Sequence, residues 1–190
     1  MKKILLILTV LFFSKSTQAQ RNIKGYVVTN ANDTIKCRFL LDMNTYKISS
    51  YSEVISSYSG VIEKSIIIKE SGEEVKYLPT ELKIILINTP FSGEYKYVSL
   101  KQNKNHFFHE RVLGKLSFYT VYIAGIQGEH NYQTNYIIKD GNLFKISRRK
   151  KMGKLIIDYP ELYNKWMNSE NYRLNQIEEV VNLYNEHFKK

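Results

Sequence analysis

The residues best suited to chemistry lie at the start of HFFHERVLGKLSFYTVY, residues 106 to 122. His106, His109 and Glu110 are all side chains that zinc accepts as ligands, and spacings of three and four would place them on one face of a helix. A histidine near a carboxylate could also act as the general base of a hydrolase. Both hypotheses require a backbone that brings these side chains to one side.

The same segment has the composition of two β-strands, which argues against a local metal site. It is rich in Phe, Val and Tyr, and Gly114 with Lys115 fits a two-residue hairpin loop. Side chains alternate along a strand, so His106 and His109 would point to opposite faces. His106 and Glu110 would share a face but lie roughly 13 Å apart at ~3.3 Å per residue. We therefore predict no metal site and no cofactor.

The hairpin predicts a specific register between its two strands. Its cross-strand pairs are Glu110 with Tyr119, His109 with Thr120, and Phe108 with Val121. Such pairs contribute a few tenths of a kcal/mol each, so the register indicates architecture rather than catalysis.

Catalysis by a histidine would then need partners from distant parts of the chain. His109 could meet His130 or Cys37, and Glu129 could orient a histidine base, so a periplasmic hydrolase using His106 or His109 is the alternative function. The sequence contains no G-x-S-x-G, H-E-x-x-H or C-x-x-C pattern, and no phosphate-loop or dinucleotide fingerprint. No catalytic residue is assigned. The candidates are His106, His109, Glu110 and His130.

Cys37 is the single cysteine of the chain, so an intrachain disulfide is impossible. In TIKCRFLL, residues 34 to 41, alternation places Ile35, Cys37 and Phe39 on one face, opposite Lys36 and Arg38. The pattern predicts that Cys37 is a small core residue rather than a nucleophile.

A basic run is the strongest charge feature of the chain. It precedes the helical tail, where it could meet an anionic surface such as envelope polysaccharide or lipid headgroups. The competing interpretation is a solvated connection between sheet and helix. The predicted binding residues are Arg148, Arg149, Lys150, Lys151 and Lys154.

Residues 1–19 have the pattern of a secretory signal peptide. A basic start at Lys2 and Lys3 precedes an apolar run from Ile4 to Phe13, and Ala19 lies at a T-x-A cleavage site. Ten apolar residues are about half of the ~20 that a membrane helix needs. The region directly after this run contains no cysteine that could carry a lipid. We expect an exported chain, periplasmic or extracellular, with no transmembrane segment after cleavage.

Charge and composition limit the choice of partners. The net charge of +10 becomes +7 when Lys2, Lys3 and Lys15 leave with the signal peptide. A basic chain can bind nucleic acid or anionic surfaces. Abundant Lys, Asn, Ile and Tyr are also typical of an AT-rich genome, and export argues against nucleic acid as the partner.

Short β-branched and aromatic runs separated by turn residues predict an antiparallel sheet. Asn-Ala-Asn-Asp at residues 30 to 33 and Asp140-Gly141 indicate hairpins, and the segment 42–59 is interpreted as loop. After residue 157 the spacing changes, with Asp158 as a helix cap near Pro160. A helical stripe follows, formed by Leu174, Ile177, Val181, Tyr184 and Phe188.

These patterns predict one α+β domain over residues 20–190, which is long enough for a single core. It consists of a mainly antiparallel, strongly bent β-sheet or partial barrel over residues 20–157, closed by C-terminal helices in residues 158–190. The helical stripe is interpreted as the face that covers the sheet.

The segments GYVVTNANDTIKC, FFHERVLGKLSFYTVY, DYPELYNKW and IEEVVNLYN resemble, in order and spacing, a large group of exported proteins from Bacteroidota that have no assigned function. Asn32 and Cys37 replace two glycines of that group's first segment. The resemblance implies a β-rich exported domain and supplies no catalytic residues. The matching positions are Gly25, Asp33, Thr34, Ile35, Gly114, Lys115, Tyr119, Pro160, Glu161, Leu162, Tyr184 and Asn185.

Export, many tyrosines and the missing catalytic set together favour one function. We expect a non-catalytic envelope or secreted module that binds a protein or a glycan through its sheet and loop surface.

Overall fold

The computed structural model describes residues 21–41, 66–69, 74–89, 93–123, 132–168 and 172–189. These residues form ten strands, three α-helices and one 3₁₀ turn. The strands are β1 Arg21–Thr29, β2 Thr34–Leu41, β3 Ile66–Lys69, β4 Glu74–Lys76, β5 Leu82–Thr89, β6 Gly93–Leu100, β7 Asn103–Val112, β8 Leu116–Ile123, β9 Tyr132–Lys139 and β10 Asn142–Ile146. The helices are α1 Arg149–Leu155, α2 Pro160–Asn168 and α3 Ile177–His187, with the 3₁₀ turn at Leu174–Gln176.

All ten strands belong to one antiparallel sheet in the order β10-β9-β8-β7-β6-β5-β1-β2-β3-β4. Most neighbours follow one another in sequence, and β1 is inserted between β5 and β2. Over the described strands the sheet is not closed, because β4 and β10 each have one neighbour. The predicted antiparallel sheet with C-terminal helices is confirmed.

The predicted hairpin turns have the backbone that their residues favour. Asn32 has φ 71° in the turn between β1 and β2, while Asp140 and Gly141 have φ 51° and 77° between β9 and β10. Two consecutive residues with positive φ match the twist of the flanking strands. The segment 42–59 and the region around Glu129 and His130 lie outside the described residues.

The stretch from His106 to Tyr122 is extended on both sides of a turn, as predicted. His109 pairs with Thr120 and Glu110 with Tyr119. The prediction of a two-residue loop at Gly114 and Lys115, however, was wrong. The register shifts between Glu110 and Val112, and the turn contains residues 113 to 115.

Gly114 therefore has a different role from the one its turn position suggested. Its φ is not positive, and a Cβ placed on it would lie 2.4 Å from Nδ2 of Asn185. Asn185 of α3 donates to the Leu116 carbonyl and accepts from the Leu116 N–H, both at 2.8 Å. The glycine thus leaves room for a helix side chain that binds the β8 backbone.

The core has three apolar clusters. The first, with Val27 and Cys37, lies among β1, β2, β5, β6 and β7. The second joins β8, β9 and β10 to the three helices around Trp166 and Tyr184. The third centres on Phe108 and occupies the opposite face of the sheet, because Phe108 alternates with the Phe107 of the first cluster.

Two predictions about the helical part need correction. The predicted cap, Asp158, is separated by Tyr159 from Pro160, the first residue of α2. The Asp158 carboxylate instead accepts hydrogen bonds from Lys139 at 3.0 Å and from Tyr184 at 2.7 Å. Burial alone would raise the pKa of Asp158, but these two hydrogen bonds, the positive charge of Lys139 and a backbone hydrogen bond together lower that pKa. The helical part also begins earlier than predicted, because α1 begins at Arg149.

Candidate functional site

His109 occupies a buried position on β7. Its imidazole is 4% exposed and lies against the rings of Tyr95 and Tyr97, with centroid distances of 5.3 and 4.9 Å. Burial, followed by the positive charge of Arg111, lowers its pKa from 6.5 to about 4. The imidazole is therefore neutral at physiological pH. Its Nδ1 and the Oγ1 of Thr120 have no hydrogen-bond partner in the described structure.

Glu110 lies on the opposite face of β7 and is bound to a different partner. Its carboxylate forms a cross-strand ion pair with Lys96, with Oε1 and Nζ 2.8 Å apart. Alternation separates it from His109, as predicted. Within the described ranges, no three His, Cys, Asp or Glu side chains come close enough to hold a metal ion. His106 is half-buried.

Cys37 is a core residue, as predicted. It is 3% exposed in the first apolar cluster, and burial raises the pKa of its thiol to about 12. A neutral buried thiol is a poor nucleophile. Burial thus keeps both His109 and Cys37 uncharged, the imidazole by lowering its pKa and the thiol by raising its pKa.

The basic run divides into an inward and an outward part. Arg149 is half-buried, donates to the backbone carbonyls of Met167 and Tyr172, and lies 5.8 Å from the Trp166 ring centroid. Trp166 in turn donates from Nε1 to the Arg149 carbonyl at 2.8 Å. This predicted binding residue thus fastens α1 to α2 and to the segment before the 3₁₀ turn.

The other basic residues of the run are exposed, and two of them border a groove of about 310 Å³. We name it the lysine groove. It lies between β10 and α1, and none of its seven lining residues is acidic. Its lining is Leu143, Phe144, Lys145, Ile146, Lys151, Lys154 and Leu155. Arg148 and Lys150 are exposed and do not line it.

Lys145 and Phe144 were missed by the sequence reasoning. Phe144 is 39% exposed, which is unusual for a large apolar side chain beside three lysines. The position of NLFKI directly after the Asp140-Gly141 turn indicated a strand, but alternation places Phe144 opposite Lys145 and on the face of the buried Ile146, so the pattern did not predict the exposure of Phe144. Nothing in the sequence alone showed that α1 would bring Lys151 and Lys154 alongside.

A second, more polar groove of about 410 Å³ adjoins the first and shares Lys145 and Ile146 with it. Its remaining lining is Gln133, Thr134, Asn135, Ser147, Leu174 and Asn175. The two grooves together form a continuous surface around the end of β10, with hydrogen-bonding groups on one side and lysines on the other.

No family model, curated protein or solved structure matches the chain. Among the described residues, no helix combines the length and apolar character needed to cross a membrane.

Proposed function

We propose that this protein is a non-catalytic binding module that holds an anionic partner, a protein or a glycan, at the lysine groove. The observation that carries the proposal is the lining itself, where Lys145, Lys151 and Lys154 surround an apolar floor without a carboxylate. None of these three lysines takes part in an ion pair with another described residue. Their charge is available to a ligand.

The chemistry of the groove fits a partner that is both anionic and partly apolar. An ammonium group is a strongly hydrated point charge that accepts carboxylate, sulfate or phosphate without a demand for bidentate geometry. Leu143, Phe144 and Leu155 offer apolar surface beside it. Electrostatic attraction would speed encounter with such a partner and make the affinity depend on salt.

Export to the bacterial envelope belongs to the same proposal, and the basic and apolar pattern of residues 1–19 supports it. The resemblance to exported Bacteroidota proteins supports the same compartment. We also infer a strongly bent sheet, because register shifts at three strand pairings are typical of bulges that increase twist and bend.

A charge-reversal experiment tests the binding function. The variant K145E/K151E/K154E should lose binding to immobilised polyglutamate, to a sulfated polysaccharide, or to both, whichever the wild type binds. The matched control K24E/K36E/K76E changes net charge equally at exposed lysines of β1, β2 and β4 and should keep binding. Surface plasmon resonance at two salt concentrations measures the affinity of each protein for the two polyanions. Equal loss in both variants, or no wild-type binding to either polyanion, would contradict the proposal.

A further inference from the structure

The outer edge of β10 is unpaired over the described residues, and its hydrogen-bonding direction can be worked out. β10 pairs only with β9, through the two-residue turn Asp140-Gly141. In such a turn the flanking residues, Lys139 and Asn142, form a hydrogen-bonded pair. Hydrogen-bonded and non-hydrogen-bonded pairs alternate along an antiparallel ladder. Phe144 and Ile146 therefore bond towards β9.

Leu143 and Lys145 consequently direct their N–H and C=O groups away from the sheet. One observed contact agrees with this direction. Nζ of Lys151 lies 3.5 Å from the carbonyl oxygen of Lys145, on the side facing α1. The edge thus offers two N–H donors and two carbonyl acceptors spaced two residues apart, which is the spacing of a β-ladder.

The lysine groove runs along this same edge. Its lining includes four consecutive residues of β10, from Leu143 to Ile146, and the facing wall is α1. A chain lying there would meet backbone groups on one side, lysine ammonium groups around it, and the exposed Phe144 ring. Sheet edges of this kind accept extended peptides, with backbone bonds supplying affinity and alternate side chains supplying specificity.

We propose that an extended acidic segment of a partner protein adds to the outer edge of β10 as a further antiparallel or parallel strand. The inference rests on the proposed function and narrows its partner to a protein. Charge complementarity selects this occupant, since the three lysines of the groove repel a basic strand and attract carboxylates on alternate residues. The segment displaces the Lys151 ammonium from the Lys145 carbonyl and offers it a carboxylate instead.

The probe for this proposal is a synthetic peptide of alternating Glu and Val with blocked ends. Two further versions carry N-methyl groups, one on every Glu amide and the other on every Val amide. A strand bonds through the amides of every second residue, so one methylated version should lose affinity at least about tenfold while the other binds nearly as well as the parent. Titration by NMR gives the affinities, and protection of the Leu143 and Lys145 amides from hydrogen exchange gives the location.

A pair of protein variants provides a second measurement. Leu143→Pro removes an N–H that points away from β9, which an edge strand tolerates, and Leu143→Ala removes the side chain but keeps the N–H. L143A measures what loss of the groove-lining side chain costs, and we expect L143P to weaken peptide binding at least about tenfold beyond L143A because it also lacks the N–H. Circular dichroism verifies that both variants fold, and equal affinities of L143P and L143A would contradict strand addition. The methylated peptides decide the question if L143P is unfolded.

The outcomes separate this inference from the proposed function. Equal binding of both methylated peptides, together with loss of binding in K145E/K151E/K154E, would leave an anion-binding groove and overturn strand addition. Binding of the sulfated polysaccharide but not of the peptide would do the same. Peptide binding that survives the triple lysine variant would overturn both, leaving the lysines only as protection of an exposed edge.

Discussion

His109 is the residue whose chemistry the fold changes most. Its pKa falls from 6.5 to about 4 because burial disfavours the imidazolium, and Arg111 adds to the effect. Between these pH values the unfolded chain binds a proton that the folded chain excludes, so this contribution to stability is complete above 6.5 and is lost as the pH falls. From pH 7 to pH 5 the loss should be about 2 kcal/mol.

The variant H109Q should remove this part of the pH dependence. His106 on the same strand provides the control, because it is half-buried on the opposite face, and H106Q should retain the difference between the two pH values. Urea unfolding at pH 7 and pH 5 measures the change in unfolding free energy for wild type, H109Q and H106Q. The same pH dependence in H109Q and wild type would show that His109 is accessible to protons in the folded state.

Gly114 and Asn185 should be energetically coupled. Loss of the Asn185 amide leaves the buried N–H and C=O of Leu116 unpaired, so N185A should cost about 3 kcal/mol of unfolding free energy. In wild type, G114A forces its Cβ into the Asn185 side chain and should cost about 2 kcal/mol.

The double variant G114A/N185A tests the cause. Because N185A removes all three side-chain atoms that the new Cβ would meet, G114A should cost little in that background. Chemical denaturation of the four proteins gives the coupling free energy. Additive costs would mean that Gly114 is required for its backbone conformation and not for the room it leaves to Asn185.

At the level of strands and helices, local patterns predicted most of what was found. Period-two alternation placed Cys37 inward and Lys36 and Arg38 outward, and Asp-Gly placed the β9–β10 turn. The predicted two-residue loop after β7 was wrong because the register shifts at Arg111, a residue that also contacts α3. The Arg111 guanidinium donates to Glu178 of α3 at 2.7 Å, a contact that only the tertiary fold creates.

The helix α1 is held by Arg149, and this role makes a prediction for the basic run. The planar guanidinium donates to two carbonyls and lies near the Trp166 ring, contacts that a lysine ammonium cannot reproduce. R149K should therefore lower the unfolding free energy by about 1–2 kcal/mol. The neighbouring variant R148K should leave it unchanged, because Arg148 is exposed. Thermal unfolding monitored by Trp166 fluorescence distinguishes them, and equal stability of the two variants would contradict an anchoring role.

At the level of the whole molecule, the sequence predicted part of the candidate site. Lys151 and Lys154 came from a charge run that sequence displays, but Lys145 and Phe144 joined them through packing of α1 beside β10. Charge runs show which groups are present and not which of them turn inward. Arg149 belongs to the same run and is used internally.

The sheet face that carries His109 links the two ends of the molecule. On this face, directly paired residues of neighbouring strands lead from the first apolar cluster towards the second. They are Ile85, Tyr97, His109 and Thr120. Because buried side chains follow one another across the face without an exposed gap at these pairs, we expect the two clusters to unfold together.

The chain carries one natural probe for each cluster. Trp166, the single tryptophan, reports on the helical cluster by fluorescence, and Cys37, the single cysteine, reports on the other through its reactivity towards a thiol reagent in pulsed labelling. The two urea midpoints should coincide if residues 20–190 form one cooperative domain, as their pattern predicts. The variant K24E/K36E/K76E, altered only at exposed lysines, should shift both midpoints together. A Cys37 midpoint clearly below that of Trp166 would divide the chain into a helix-covered unit and a separate unit built on β1 and β2.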